Sequence, residues 1–96
     1  MAEYKLSRAA KEDLIRIHHY GVRQFGVHQA DKYLNRFFES FDLIAANPTL
    51  FESVDHIRPG YRRCVCGVDN IFFRVEDGTA EVIAILGRQE TDLILP

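Results

Sequence analysis

Residues 70–88, NIFFRVEDGTAEVIAILGR, hold two apolar runs of alternating pattern that break at Asp77–Gly78. A two-residue Asp-Gly step between such runs is a strong hairpin signal, because both turn residues can take the positive φ that a tight turn demands. The spacing predicts strands over Asn70–Glu76 and Thr79–Arg88. A third run, Tyr61–Cys66, precedes them across Gly67–Val68–Asp69, so the C-terminal part of the chain reads as an antiparallel meander. Both sides of this meander are apolar: Val82, Ala84 and Leu86 alternate with Ile83 and Ile85, and Ile71, Phe73 and Val75 alternate with Phe72. One layer of helices covers one face. The other face needs the C-terminal Leu93, Ile94 and Leu95, a self-contact or a separate protein.

The N-terminal half supplies the helices. Tyr4–Lys5–Leu6 is a short extended opening, and Ser7 offers an N-cap hydroxyl. Ala10, Leu14, Ile17, Gly21 and Phe25 then fall on one helix face, and Gly26 is a natural stop. A second helix is predicted over about His28 to Ala46, with Ala30, Tyr33, Leu34, Phe37, Phe38, Phe41, Ile44 and Ala45 forming a wide stripe that suits two packing neighbours. Asn47–Pro48 ends it, since the residue before proline is pushed out of the helical region. The stretch from Thr49 to Gly60 reads as irregular. The order is β-α-α-β-β-β, an α+β chain in two layers. Leu14, Ile17, Leu34, Phe37 and Phe41 are its expected core. With 96 residues, 47% of them hydrophobic, the chain suits a single domain spanning 1–96 with a buried core.

Charge narrows the function. The formal net charge is −2, and no region has a strong positive excess: residues 1–46 carry 7 basic and 6 acidic side chains, residues 61–96 carry 4 and 6. A protein that binds by neutralising many phosphates needs the opposite balance, so sequence-specific binding to nucleic acid is not expected. No apolar run nears the roughly 20 residues that span a bilayer, and the chain reads straight into structure, which predicts a small cytoplasmic protein without a membrane partner.

Sites of chemistry are sparse. Phosphate loops, nucleophile elbows and metal-ligand spacings are missing from the pattern, so no cofactor and no metal site is expected. Cys64 and Cys66 stand two apart in a strand, a poor geometry for a disulfide, and read as small apolar residues. His18 and His19 are helix neighbours about 100° apart and cannot share a metal. Arg62, Arg63, Arg74 and Arg88 lie on the predicted strands and could clamp a phosphate. They could equally pair with Asp69, Glu76, Asp77, Glu81 or a partner's carboxylates. RNA cleavage would also need a proton acceptor and donor, and after Tyr61 the chain has no His, Lys or Tyr. No catalytic residue is assigned.

The order of motifs resembles a known family. "SRAAKEDL" opening a helical hairpin, "ANP" ending it, "PGYRR" opening the meander, "NIFFRVEDGTAEVIAIL" and a final "GRQE" resemble the ParE branch of the RelE/ParE toxin superfamily, from about Tyr4 to Glu90. The resemblance implies a type II toxin neutralised by a cognate antitoxin in a hetero-oligomer. It also implies a helical hairpin packed on an antiparallel sheet whose first strand lies beside the last. ParE-like members poison DNA gyrase, whereas RelE-like members cleave mRNA on the ribosome with basic sheet residues and often a C-terminal Tyr or His. The mild acidity and the ending "GRQETDLILP", with Arg88 but no Tyr or His, side with ParE. Gyrase inhibition by contact is therefore the expected function, with an arginine-based endoribonuclease or an inactive partner-binding member as alternatives. The expected partner-binding residues, for antitoxin or target, are Arg62, Arg63, Phe72, Arg74, Arg88, Gln89 and Glu90.

Overall fold

The computed structural model describes residues 3–87. Strand β1 (Tyr4–Leu6) leads into α1 (Arg8–Phe25) and α2 (Val27–Ala46), followed by a 3-10 turn at Pro48–Leu50. Then come β2 (Glu52–Ser53), β3 (Tyr61–Cys66), β4 (Asp69–Glu76) and β5 (Thr79–Gly87). The sheet order is β1-β5-β4-β3-β2. The first strand does lie beside the last, but that pair is parallel, with Tyr4 opposite Ala80 and Leu6 opposite Val82. The other neighbouring pairs are antiparallel. Strand β2 is an addition to the sequence reading: two residues inside the stretch expected to be irregular pair with Arg63 and Arg62. A strand that short carries no readable alternation.

Local signals set the elements. The Ser7 hydroxyl accepts from Ala10 N–H at 3.0 Å, capping α1. Gly26, at φ +89°, closes α1 and opens α2, so one residue reverses the chain. Asp77 and Gly78 both have positive φ, +53° and +77°, as the hairpin signal requires.

The hairpin packs on one face of the sheet. Ala10, Leu14, Phe37, Phe41 and Ile44 meet Cys64, Cys66, Ile71, Phe73, Ala80, Val82 and Ile85 in the main core. Phe37 and Phe41 are fully buried, while Ile17 and Leu34 are half-buried at its margin. Burial of so many large apolar side chains is the chief stabilising term, at about 1.5–3 kcal/mol each.

Strict alternation fails in β5. Phe72 lies opposite Ala84 and Phe73 opposite Val82, so Ile83 is an extra residue and the strand bulges. Val82 and Ile85 therefore face the helices, while Ile83, Ala84 and Leu86 belong to a second cluster. This corrects the grouping of Val82 with Ala84 and Leu86. Helix α1 takes up the polar groups that the bulge frees: Ser7 Oγ donates to the Ile83 carbonyl at 2.7 Å, and Asp13 Oδ2 accepts from Ile85 N–H at 2.9 Å.

The second cluster also answers what covers the outer face. Val54 and Ile57, from the loop after β2, pack with Tyr61, Phe72, Ile83, Ala84 and Leu86. The loop holds its own shape through Arg58 N–H to the Val54 carbonyl at 3.0 Å and Gly60 N–H to Asp55 Oδ1 at 2.8 Å. Among the described residues, the cover comes from the chain's own loop. Leu93, Ile94 and Leu95 lie outside the described residues.

Candidate partner-binding surfaces

The arginines of the sheet divide between its faces. Residues 61, 63 and 65 of β3 point to the outer side with buried Tyr61, so Arg63 lies there, whereas Arg62 shares the side of Cys64 and Cys66. Arg74 follows Phe72 on the outer side of β4. Each already has a partner within the chain. Arg63 Nη2 donates to both Glu52 carboxylate oxygens at 2.8 and 2.7 Å, and this holds the Glu52 carboxyl below its ordinary range. Arg74 reaches Glu81 at 3.2 Å across the β4–β5 pair and Glu76 at 3.1 Å. Arg62 Nη1 donates to the Phe51 carbonyl at 2.7 Å.

On the outer side two arginines are braced by three carboxylates. The pairs are partly exposed and add little to stability, but each fixes a long side chain in one place. Phe72 is fully buried, which corrects its assignment to a partner contact: its ring supports the face and leaves no surface to touch. Arg63 and Arg74 come together on the outer side, where Tyr61 opposes Arg74, while Arg62, opposite Phe73, lies on the other side of the sheet. Arg88, Gln89 and Glu90 lie outside the described residues.

Proton-transfer groups are equally committed. The Tyr33 hydroxyl shares its single proton between the Cys66 carbonyl at 2.9 Å and Asp69 Oδ2 at 2.8 Å, and accepts from Val68 N–H at 3.3 Å. Burial and then Asp69 push its pKa well above the ordinary tyrosine value. Burial likewise raises both thiols, Cys64 and Cys66, and both are free. His18 Nε2 sits 2.8 Å from Asp31 Oδ1, joining the two helices. Among the described residues no group of three His, Cys, Asp or Glu side chains could hold a metal. No helix among them is long and apolar enough to cross a membrane.

Most of the exposed large apolar side chains lie on the hairpin, with Val65 and Val75 exposed on the sheet. Phe25, expected on the core face, is 69% exposed because the helix ends there and the sheet does not reach it. Phe38 stands edge-on to Phe41 with 39% of its surface exposed, so the wide stripe of α2 overruns its cover. Ile15 and Leu43 are exposed as well. At the closed end of the hairpin, Tyr20 and Phe25 face Val68 of the β3–β4 turn across a groove of about 970 Å³. Sequence reading missed this groove, since helix periodicity does not reveal which residues at a helix end pass beyond the sheet.

A helical hairpin packed on a five-stranded, mostly antiparallel sheet makes a two-layer α+β fold. The same fold occurs in the chromosomal ParDE TA system from P. aeruginosa, which aligns at a TM-score of 0.79 and 21% identity over 91% of this chain and 96% of that one. In sequence, the model of the "ParE toxin of type II toxin-antitoxin system, parDE" matches residues 4–92. Toxin ParE1 of Mycobacterium tuberculosis (strain CDC 1551 / Oshkosh) is 38% identical over 86 residues, covering 88% of each chain. Toxin ParE1 of Caulobacter vibrioides (strain ATCC 19089 / CIP 103742 / CB 15) is 37% identical over 86 residues, covering 90% of this chain and 88% of the relative. The chain belongs to the ParE toxin family of type II toxin–antitoxin systems.

Proposed function

We propose that this toxin acts in the cytoplasm by binding DNA gyrase directly, without a cofactor or a catalytic step of its own, and that a cognate antitoxin neutralises it in a hetero-oligomer. Family membership supports the antitoxin and the target. The observation that carries contact over cleavage is the commitment of the sheet arginines. Phosphate clamping needs guanidinium groups free to meet an anion, whereas Arg63 is held bidentately by Glu52 and Arg74 by Glu76 and Glu81. A phosphate entering that face would meet three carboxylates before it could displace them.

Two assays test the proposal. Purified toxin is added to a gyrase supercoiling reaction, read for lost supercoiling and trapped cleaved DNA. It is also added to translating ribosomes with a defined message. Loss of supercoiling with an intact message is the expected result. Ribosome-dependent cleavage with untouched gyrase would replace the proposal by the endonuclease reading. Co-purification with the product of an adjoining small gene tests the antitoxin separately.

A further inference from the structure

Cys64 and Cys66 take no part in the partner surfaces, and the fold sets them as a pair. Alternate residues of a strand share a side, and both thiols belong to the helix-facing core, 7% and 4% exposed. The Cys64 sulfur lies 3.9 Å from the Val65 carbonyl oxygen, leaning along β3 toward Cys66. From the opposite layer, the half-buried Ser40 of α2 hydrogen-bonds to both thiols. Burial first, and then the neighbouring Cys66, raises the pKa of Cys64, so the two sulfurs are close enough to sense each other's charge. Strand β2 pairs only with Arg62 and Arg63, so among the described residues no strand covers the β3 edge beside the thiols. That edge, with exposed Arg36 and Glu39 of α2 next to it, is the way in for an ion.

The spacing selects what such a pair can hold. Same-side neighbours in a strand stand about 6.6 Å apart. A disulfide needs Cβ atoms at about 3.5–4.5 Å, so a direct S–S bond would bend β3. Structural zinc takes four ligands, and no third His, Cys, Asp or Glu among the described residues completes a set with these two. A soft monovalent ion held in line by two thiolates sets the sulfurs apart by about twice a metal–thiolate bond of about 2.3 Å, which lies between those limits. We propose that Cys64 and Cys66 form a two-coordinate site for Cu(I), supported by the Ser40 hydroxyl. On binding, both S–H bonds break, two protons leave to solvent, one Cu(I) takes their place, and the copper does not change oxidation state. The bis-thiolate carries one negative charge, which Arg36 offsets from beside Cys66 against Asp69 and Glu39. The bound ion clamps the free edge of β3 under α2. None of this depends on the gyrase or antitoxin reading.

Reduced full-length toxin is titrated with Cu(I) under anaerobic conditions, in competition with the chromophoric chelator bicinchoninate. One equivalent should bind, with a thiolate-to-copper charge-transfer band in the ultraviolet and two sulfur neighbours by X-ray absorption. Tm should rise as the ion is added, since it binds only the folded chain in this geometry. Cys64→Ser and Cys66→Ser should each lose that equivalent, and Ser40→Ala should weaken it by about tenfold. Circular dichroism and thermal melts of the metal-free variants control for folding, while the band and the sulfur count are read on the parent alone. Refusal of Cu(I) by the parent would overturn the proposal, as would three or four sulfur neighbours from copper shared between chains. Parent-like affinity in both serine variants would place the copper elsewhere and overturn it too. Zn(II) held as tightly as Cu(I) would remove the two-coordinate assignment. Ready closure of a Cys64–Cys66 disulfide by oxidised glutathione, seen by mass spectrometry, would refute the spacing argument and make the pair a redox couple instead.

Discussion

Gly67→Ala tests the β3–β4 turn and the ring packed against it together. Gly67 sits at φ +59° in the β3–β4 turn, a region that costs a residue with a Cβ about 1–2 kcal/mol. The added Cβ would also lie 2.6 Å from Tyr33 Cε1 and 2.7 Å from its hydroxyl oxygen. The ring cannot simply step aside. It packs edge-on to Phe37 at 4.9 Å, lies 5.5 Å from the Arg36 guanidinium and is tied by its hydroxyl to Cys66, Val68 and Asp69. Giving up those hydroxyl bonds adds about 2 kcal/mol, for a total loss of about 3–4 kcal/mol. In a domain of this size that lowers Tm by about 15–25 °C, read by circular dichroism during heating. A double-mutant cycle separates the two causes. In a Tyr33→Leu background the clash is gone, and Gly67→Ala should cost only the backbone term of about 1–2 kcal/mol. A Gly67→Ala toxin that melts within a few degrees of the parent, or equal costs in both backgrounds, would refute the reasoning.

Other perturbations probe different layers. Phe37→Ala should cost about 3–5 kcal/mol, because the ring is fully enclosed, and urea midpoints will report it. Asp13→Ala leaves the Ile85 N–H at the bulge without its acceptor, for an expected loss of about 1–3 kcal/mol and faster hydrogen exchange at that amide. The Tyr33 phenol has a raised pKa in the fold, so the stability it contributes is complete below the ordinary tyrosine value of about 10 and is lost as pH rises through the folded value. Tm measured from pH 8 upward should therefore fall on the alkaline side, and Tyr33→Phe should flatten that limb.

What the sequence revealed and what it hid follow from the range of each signal. Helices α1 and α2, the Asp77–Gly78 turn and the buried Phe37 and Phe41 were legible because periodicity and turn chemistry are local. The bulge was not. Alternation in VIAIL continues unbroken through Ile83, and only pairing with Phe72 and Phe73 and the reach of Ser7 and Asp13 shift the later residues to the other face. Excess apolar surface was correctly sensed and wrongly placed. The loop with Val54 and Ile57 packs on the outer face, while Phe25 and Phe38, on faces that looked internal, are exposed. Of the candidate partner residues, Arg63 and Arg74 share the outer side of the sheet and Arg62 lies on the other; Glu76 and Glu81 were legible as partners of Arg74, whereas Glu52, the partner of Arg63, sits on a two-residue strand inside the stretch read as irregular.

Strand β1 pairs with β5, and the Ser7 hydroxyl bonds to a carbonyl 76 residues away. This gives the molecule a timetable. During synthesis the first strand, the cap of α1 and the apolar side of the hairpin all wait for β5, which pairs with β1 from more than 70 residues further along the chain. Until Val82 and Ile83 have left the ribosome, Leu14 and Phe41 lack most of the surface that will bury them. Contacts of such long range also slow folding, because the chain must be ordered over its whole length before they form. A ParE-family chain built in this way has no finished fragment before β5. Its shape, and with it any surface that depends on the packed hairpin, comes into being only after β5 is available to pair with β1.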